Sequence, residues 1–322
     1  MLLNILFLSV GLVVLIAGAE ALVRGAVSIS SKLGIPALVI GLTVVSFGTS
    51  APELTVNIAS VLNGSPDLAI GNVIGSNIAN IFLILGVCAV IRPLSVKSST
   101  VWKEIPLALL GISLIFIMGN DVLIDGAGVN AISRSDGIVL MSLMAIFMYY
   151  IVGLAKADKS KGIESDDGIK QYGTWSSVGM VLLGFGGLVV GGQLLVTAAV
   201  DIAGAAGLSE SLIGLTVVGI GTSLPELATS VVATRKGQID IAIGNVVGSN
   251  IFNIFWILGL SGTILQLPFN SSASVDVLVA VGATLLLFIA MFLGKKHKLT
   301  RLEGAGFLVL YAGYLVFLVQ RG

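Results

Sequence analysis

Cysteine occurs once, at Cys88, and histidine once, at His297. A lone cysteine excludes an intrachain disulfide and a thiolate cluster. His297 lies in a basic loop, so no apolar stretch carries a histidine, and soft-metal ligand sets are missing. Charge is scarce too. Asp, Glu, Lys and Arg make up 11% of the chain, against about 25% in a soluble domain. The 17 basic and 17 acidic residues cancel, which removes the electrostatic case for a nucleic-acid partner. No G-x-x-x-x-G-K-[ST] run is present, so a nucleotide-driven pump lacks its phosphate cradle. An intramembrane serine protease lacks its base, because the spans offer no His and no midplane Lys to activate a serine.

What the chain has in excess is apolar length: 56% of its residues are hydrophobic and the mean hydropathy is +1.07. A membrane-crossing helix needs roughly 20 mainly apolar residues. The runs here are continuous and do not alternate as barrel strands do. They predict an all-α membrane protein of ten spans, near 3–27, 36–62, 68–91, 104–119, 136–155, 176–202, 210–234, 240–266, 275–294 and 302–320. "MLLNILFLSVGLVVLIAGAEALVRG" has no basic segment ahead of its apolar run and reads as a first span, not a cleaved signal. The one polar linker, 156–175, separates a first five-helix repeat, 1–155, from a second, 176–322.

The two halves repeat. A shift of 173 positions superposes 39–87 on 212–260 without a gap, and 29 of those 49 positions are identical. General oiliness would match Leu with Val. It does not match "GTSAPE" (48–53) with "GTSLPE" (221–226), or "GSNIAN" (75–80) with "GSNIFN" (248–253). Five spans per half is an odd number, so the second half enters the membrane from the opposite side. With the N-terminus outside, fifteen of the 17 Lys and Arg residues fall on the inner face, and only Arg134 and Arg321 fall outside. That asymmetry predicts outer N- and C-termini and a cytoplasmic 156–175 loop, in a plasma (inner) membrane.

Inverted repeats with helices broken at the midplane are the build of secondary transporters. Pro52 has no N–H and its ring crowds the carbonyl of Gly48. Carbonyls over 46–49 are therefore expected to lose helical partners, which is tolerated in a membrane only against protein or a hydrated cavity. Thr49, Ser50 and Glu53 share a face by their spacing. Asn72, Ser76 and Asn80, four apart, form a polar stripe on the next helix. Thr222, Ser223 and Glu226, then Asn245, Ser249 and Asn253, repeat both arrangements. Every one of these side chains offers oxygen, which suits a hard cation such as Na⁺ or Ca²⁺. An ionised carboxylate at mid-membrane costs at least about 2.5 kcal/mol and calls for a partner. No Lys or Arg is placed at that depth to serve Glu53 or Glu226. A bound cation fills the role, with a shared proton as the alternative.

"GTSAPE…GNVIGSNIAN" and "GTSLPE…GNVVGSNIFN" resemble the two α-repeats of the Na⁺/Ca²⁺ exchangers in the cation/Ca²⁺ antiporter superfamily. The resemblance covers the ten-span plan and is densest in the repeats. It implies an antiporter, not an enzyme, with interrupted helices 2, 3, 7 and 8 forming an ion-binding core. It implies Glu53 and Glu226 as ligands shared by Ca²⁺ and Na⁺, with the carbonyls of Thr49 and Thr222 completing a central site. Ser50, Ser76, Ser223 and Ser249, with the carbonyls of Ser46 and Gly219, would line flanking Na⁺ sites. Asn80 and Asn253 complete the set, and the first and sixth spans would slide past this core. Several family members carry Asp where this chain has Asn253, so two carboxylates and not three bear on the midplane, which weakens the case for K⁺ co-transport. H⁺/Ca²⁺ exchangers show Gly-Asn-x-x-Glu in place of Gly-Thr-Ser-x-Pro-Glu, which favours Na⁺ as counter-ion here. No cofactor and no obligatory protein partner is implied beyond the two ions and the bilayer. A cation channel remains the alternative of a different class, and flux that requires a counter-ion separates the two.

Other features have plainer readings. The pairs Gly71 and Gly75, and Gly244 and Gly248, suit close helix packing. Asp67 and Asp240 are expected to cap helices. Glu20 and Gln193 lie toward span ends, and Trp102 and Trp175 read as interface anchors.

Overall fold

In the computed structural model, residues 2–159, 172–205, 219–293 and 295–321 are described. Most of the predicted 156–175 linker and the first part of the predicted seventh span, including 213–218, lie outside them. Among the described residues, eight helices are long and apolar enough to cross a membrane. A ninth crossing is a pair of helices bent by 44°, Ala37–Thr49 and Ala51–Leu62. The protein is a multi-pass helical membrane protein.

The first half begins with α1 (Leu2–Leu33). The bent span follows as α2 (Ala37–Ile40), a wide π-turn over Gly41–Val45, α3 (Ser46–Thr49) and α4 (Ala51–Leu62). The break falls at Ser50 (φ −84°, ψ 8°), with Pro52 in the first turn of α4. Proline is tolerated there because first-turn N–H groups have no intrahelical partner. Next come α5 (Pro66–Ala79), a π-turn over Asn80–Leu85 and α6 (Gly86–Ile91). The fourth crossing opens with a π-turn over Thr100–Glu104 and continues as α7 (Ile105–Met118). It therefore starts ahead of Pro106, and the widened turn accommodates the missing N–H. A short α8 (Asp121–Ile124) precedes α9 (Arg134–Lys159).

The second half repeats the order. α10 (Thr174–Ala205) leads to α11 (Gly219–Thr222) and α12 (Leu224–Arg235). These two are broken at Ser223 (φ −86°, ψ 3°), with Pro225 in the first turn of α12. Then α13 (Ile239–Ile251), a π-turn over Phe252–Leu258, α14 (Gly259–Ile264), α15 (Ser271–Ala290) and α16 (Arg301–Arg321) complete the chain. Gly64 (φ 74°) and Gly237 (φ 77°), one repeat apart, turn the chain after α4 and α12 in a conformation that favours glycine. Two small antiparallel ladders tie the loops, Leu94–Ser95 with Lys298–Leu299 and Ala131–Ile132 with Leu267–Pro268.

Burial decides which spans are central. Of its apolar 18-residue stretch, Ile239–Ile264 buries 94% and Pro66–Ile91 72%, against 22–39% for the other six long helices. An apolar helix needs no protein cover in lipid, so the two buried spans are the core. α1 and α10 pack side by side and antiparallel. A Cβ at Gly18 would come within 2.7 Å of the Leu188 nitrogen, one at Gly184 within 2.6 Å of the Leu22 nitrogen, and one at Gly25 within 2.7 Å of the Ser177 carbonyl. These contacts bring backbone against backbone along the pair. The packing reading holds for Gly244 and Gly248, where Cβ atoms would meet the Leu38 carbonyl at 2.8 Å and the Ser46 hydroxyl at 2.7 Å, and fails for Gly71 and Gly75, where a Cβ would meet nothing within 4 Å.

Three plain expectations are refined. Asp67 and Asp240 sit in the first turns of α5 and α13, where negative charge suits the helix dipole. They do not cap. Asp67 accepts a hydrogen bond from Asn270 (3.1 Å) and Asp240 pairs with Lys97 (2.8 Å). Glu20 pairs with Arg24 and with Lys236, each at 2.5 Å, and so joins α1 to the end of α12. Trp102 and Trp175 are exposed, as anchors require.

Candidate cation site

Each broken helix delivers its polar residues to the other half of the molecule. The Thr49 hydroxyl donates to Asn245 Oδ1 (3.0 Å), and the Thr222 hydroxyl to Asn72 Oδ1 (3.2 Å). These two bonds are the same bond under the 173-residue shift. The pattern goes deeper. Asn72 Nδ2 donates to Asn57 Oδ1 (2.7 Å) and to the Glu53 carbonyl (3.5 Å). Asn245 Nδ2 donates to Ser230 Oγ (2.9 Å) and to the Glu226 carbonyl (3.3 Å). Asn80 Nδ2 donates to Asn250 Oδ1 (2.8 Å), and Asn253 Nδ2 to Asn77 Oδ1 (3.2 Å). Pairing 77 with 253 and 80 with 250 means that α5 and α13 cross antiparallel here.

The carboxylates sit inside this frame. Glu53 and Glu226 are both 1% exposed and lie within electrostatic range of each other. No salt bridge among the described residues reaches either one. Glu226 Oε1 accepts from Ser50 (2.8 Å) and Ser249 (3.5 Å), and Ser50 also reaches the Ser249 hydroxyl (3.1 Å). The mirror-related hydroxyls, Ser223 and Ser76, have no hydrogen-bond partner among the described residues. The two halves of the site thus differ in this conformation, with one pair of serines closed onto a carboxylate and the other pair open. Glu53 Oε2, Glu226 Oε2, Asn80 Oδ1 and Asn253 Oδ1 are likewise buried and unpartnered among the described residues. Unpaired buried oxygens carry a desolvation cost; two of these six belong to the uncompensated acids and four to Ser76, Ser223, Asn80 and Asn253. A hard cation satisfies such a set, whereas neutral donors would have to come in sixes.

The backbone positions are less uniform. The Ser46 carbonyl accepts the Ser50 N–H (3.0 Å), so it is engaged and not released by the kink. In the second half the Ser223 N–H donates to the Ile220 carbonyl (3.1 Å), one residue on from Gly219. The expected carbonyl release is therefore narrower than the proline geometry suggests.

The structure sets Thr49, Ser50, Glu226 and Ser249 in one group of hydrogen bonds, Thr222 and the Glu53 carbonyl in a second and Asn80 and Asn253 in a third, while the Ser76 and Ser223 hydroxyls make none among the described residues. It adds Asn77 and Asn250, which the sequence reading left out, and gives the stripe residues Asn72 and Asn245 a supporting role. Asn72 and Asn245 hold the threonines, while Asn77 and Asn250 hold Asn80 and Asn253. Their recurrence one repeat apart was the available signal. Asn57 and Ser230 carried none, since they differ in type.

Residues 3–153 and 176–320 match the family model described as sodium/calcium exchanger protein. The chain belongs to the sodium/calcium exchanger family, whose members are membrane transporters of the antiporter type. It is 38% identical over 325 residues to a putative antiporter, CaxA, of Alkalimonas amylolytica, with 98% of each chain covered. It is 32% identical over 347 residues to the sodium/calcium exchanger MaX1 of Methanosarcina acetivorans, again covering 98% of both. Among solved structures, the sodium-calcium exchanger NCX_Mj soaked with Na⁺ and Sr²⁺ superposes with a TM-score of 0.84 at 31% identity, covering 98% of each chain.

Proposed function

We propose that this chain exchanges Na⁺ for Ca²⁺ across the plasma (inner) membrane by alternating access to one midplane site. The observation that carries the reading is the pair of buried acids without a basic partner, set among orphaned oxygens drawn from both halves. Glu53 and Glu226 are the ligands shared by both ions. The Thr49 and Thr222 carbonyls belong to the central site. Ser50, Ser76, Ser223, Ser249, Asn80 and Asn253, with the carbonyls of Ser46 and Gly219, serve the flanking positions. Two like charges in a dry cavity repel each other, and one divalent ion or several Na⁺ at neighbouring oxygens relieve that repulsion. Both loads draw on the same negative charge, so they compete, and competition at one alternating site is what exchange requires.

The architecture behind this is ten spans in two inverted halves, 1–155 and 176–322, joined by the linker 156–175. The paired hydrogen bonds and the antiparallel α1/α10 and α5/α13 contacts support the inversion. The basic residues support outer termini and a cytoplasmic linker. The glycine-packed α1/α10 pair is the rigid body that slides past the core.

The test is radioactive Ca²⁺ uptake into vesicles of reconstituted protein loaded with Na⁺, with K⁺, or with a pH gradient alone. Uptake driven only by outward Na⁺ is the expected result. Equal uptake with a pH gradient transfers the reading to proton coupling. A K⁺ requirement added to the Na⁺ gradient makes it K⁺-dependent, and uptake without any counter-ion makes it a channel.

A further inference from the structure

The orientation of two carboxamides follows from a chain of bonds that ends on the backbone. A peptide carbonyl only accepts. Asn250 Nδ2 points at the Asn77 carbonyl (3.4 Å), so Asn250 turns its amide there and its Oδ1 toward Asn80. Asn80 then has no choice of face. It must present Nδ2 to Asn250 (2.8 Å), and its own Oδ1 points away, unpartnered and buried. Asn77 accepts from Asn253 Nδ2 at 3.2 Å and leaves Asn253 Oδ1 unpartnered, but its own Nδ2 has no partner among the described residues, so no backbone acceptor fixes its orientation. All four side chains are at most 4% exposed, so solvent does not supply an alternative partner.

We propose that Asn250 is a positioning residue that sets which end of Asn80 faces the cation. An asparagine offers an oxygen acceptor at one end and an N–H donor at the other. A cation binds the first and is repelled by the second. Asn80 thus works as a ligand only while Asn250 claims its amide nitrogen. The inference rests on the reading of Asn80 as a ligand. It also says what Asp at this position changes: a carboxylate shows oxygen at both ends, needs no orientation, and meets the Asn250 oxygen with repulsion.

The test is a double-mutant cycle in reconstituted protein, read as the half-saturating Na⁺ and Ca²⁺ concentrations for exchange. Asn250→Leu is nearly isosteric, and its site already has Ile81, Ile105, Val246 and Val247 as neighbours. Alone, it should raise half-saturation about tenfold, the scale of one misdirected polar group beside a charge. In the Asn80→Asp background it should be neutral or favourable, because that carboxylate no longer needs a donor's orientation. A merely structural role predicts the same loss in both backgrounds, and that result overturns the proposal, as does no loss in either. Asn250→Ala takes its place in the same cycle should Asn250→Leu fail to fold. Asn80→Leu separates the underlying reading: if it leaves both ions' half-saturation unchanged, Asn80 is no ligand and the site assignment itself fails.

Discussion

Glu226→Gln changes charge and almost nothing else. Glutamine keeps an acceptor for the Ser50 and Ser249 hydroxyls that bond Oε1 at 2.8 and 3.5 Å. It replaces the unpartnered Oε2 with an N–H donor, which a cation repels. Two unit charges 4 Å apart interact by about 4 kcal/mol at an effective dielectric of about 20. A divalent ion doubles this to about 8 kcal/mol. If half of that is offset by the water the ion keeps when the site is weak, about 4 kcal/mol remains, or roughly a thousandfold in affinity at about 1.4 kcal/mol per decade. For Na⁺ the same arithmetic yields about half the energy, roughly thirtyfold per ion. Glu53→Gln should behave alike, whereas Asn80→Ala and Asn253→Ala remove one neutral oxygen and should cost nearer about 1 kcal/mol. The assay is Na⁺-dependent Ca²⁺ flux in monodisperse protein, paired with equilibrium Ca²⁺ binding and its displacement by Na⁺. Wild-type flux from either glutamine variant refutes the reasoning. So does a variant that loses Na⁺ binding and keeps Ca²⁺ binding, since the ions would then use separate charges.

Further perturbations test the surrounding structure. Gly184→Ala brings a Cβ within 2.6 Å of the Leu22 nitrogen and should cost about 1–3 kcal/mol as a lowered melting midpoint in detergent. Gly186→Ala on the same helix meets nothing within 4 Å and should not, so equal melting of the two variants would discredit the close α1/α10 contact. Glu20→Gln breaks the pairs to Arg24 and Lys236, whose side chains are about half and one third exposed. Screening there limits the loss to about 1 kcal/mol, shrinking further in high salt, and a salt-independent collapse would contradict it. Shortening the 156–175 linker while leaving it long enough to connect the halves should keep turnover near normal. Loss of Ca²⁺ activation in a well-folded deletion would reveal regulation residing in that segment.

Much of this molecule is written in its linear order. Unbroken apolar runs needed no partner to declare themselves helices, because in a bilayer only a helix pairs the backbone's polar groups within one segment, and the alternation of barrel strands is absent. The hexapeptides 48–53 and 221–226 marked both the kinks and the acids, since Pro and Glu act locally and both recur. Other features depended on neighbours far away in the chain. That Thr49 reaches Asn245 and Asn80 reaches Asn250 requires two helices from opposite halves to cross, and no spacing within one helix encodes a crossing. The roles of Asn57 and Ser230 were hidden because they differ in type while holding equivalent asparagines. The closing of Ser50 and Ser249 on Glu226, while Ser76 and Ser223 stay unpaired, breaks a symmetry that the repeated sequence alone would have kept. Sequence determines which oxygens enter the membrane, because cost and composition are local properties. Only tertiary packing decides which of those oxygens are turned toward one another and which are left for an ion, because a hydrogen bond is settled by whatever donor or acceptor the fold brings within reach.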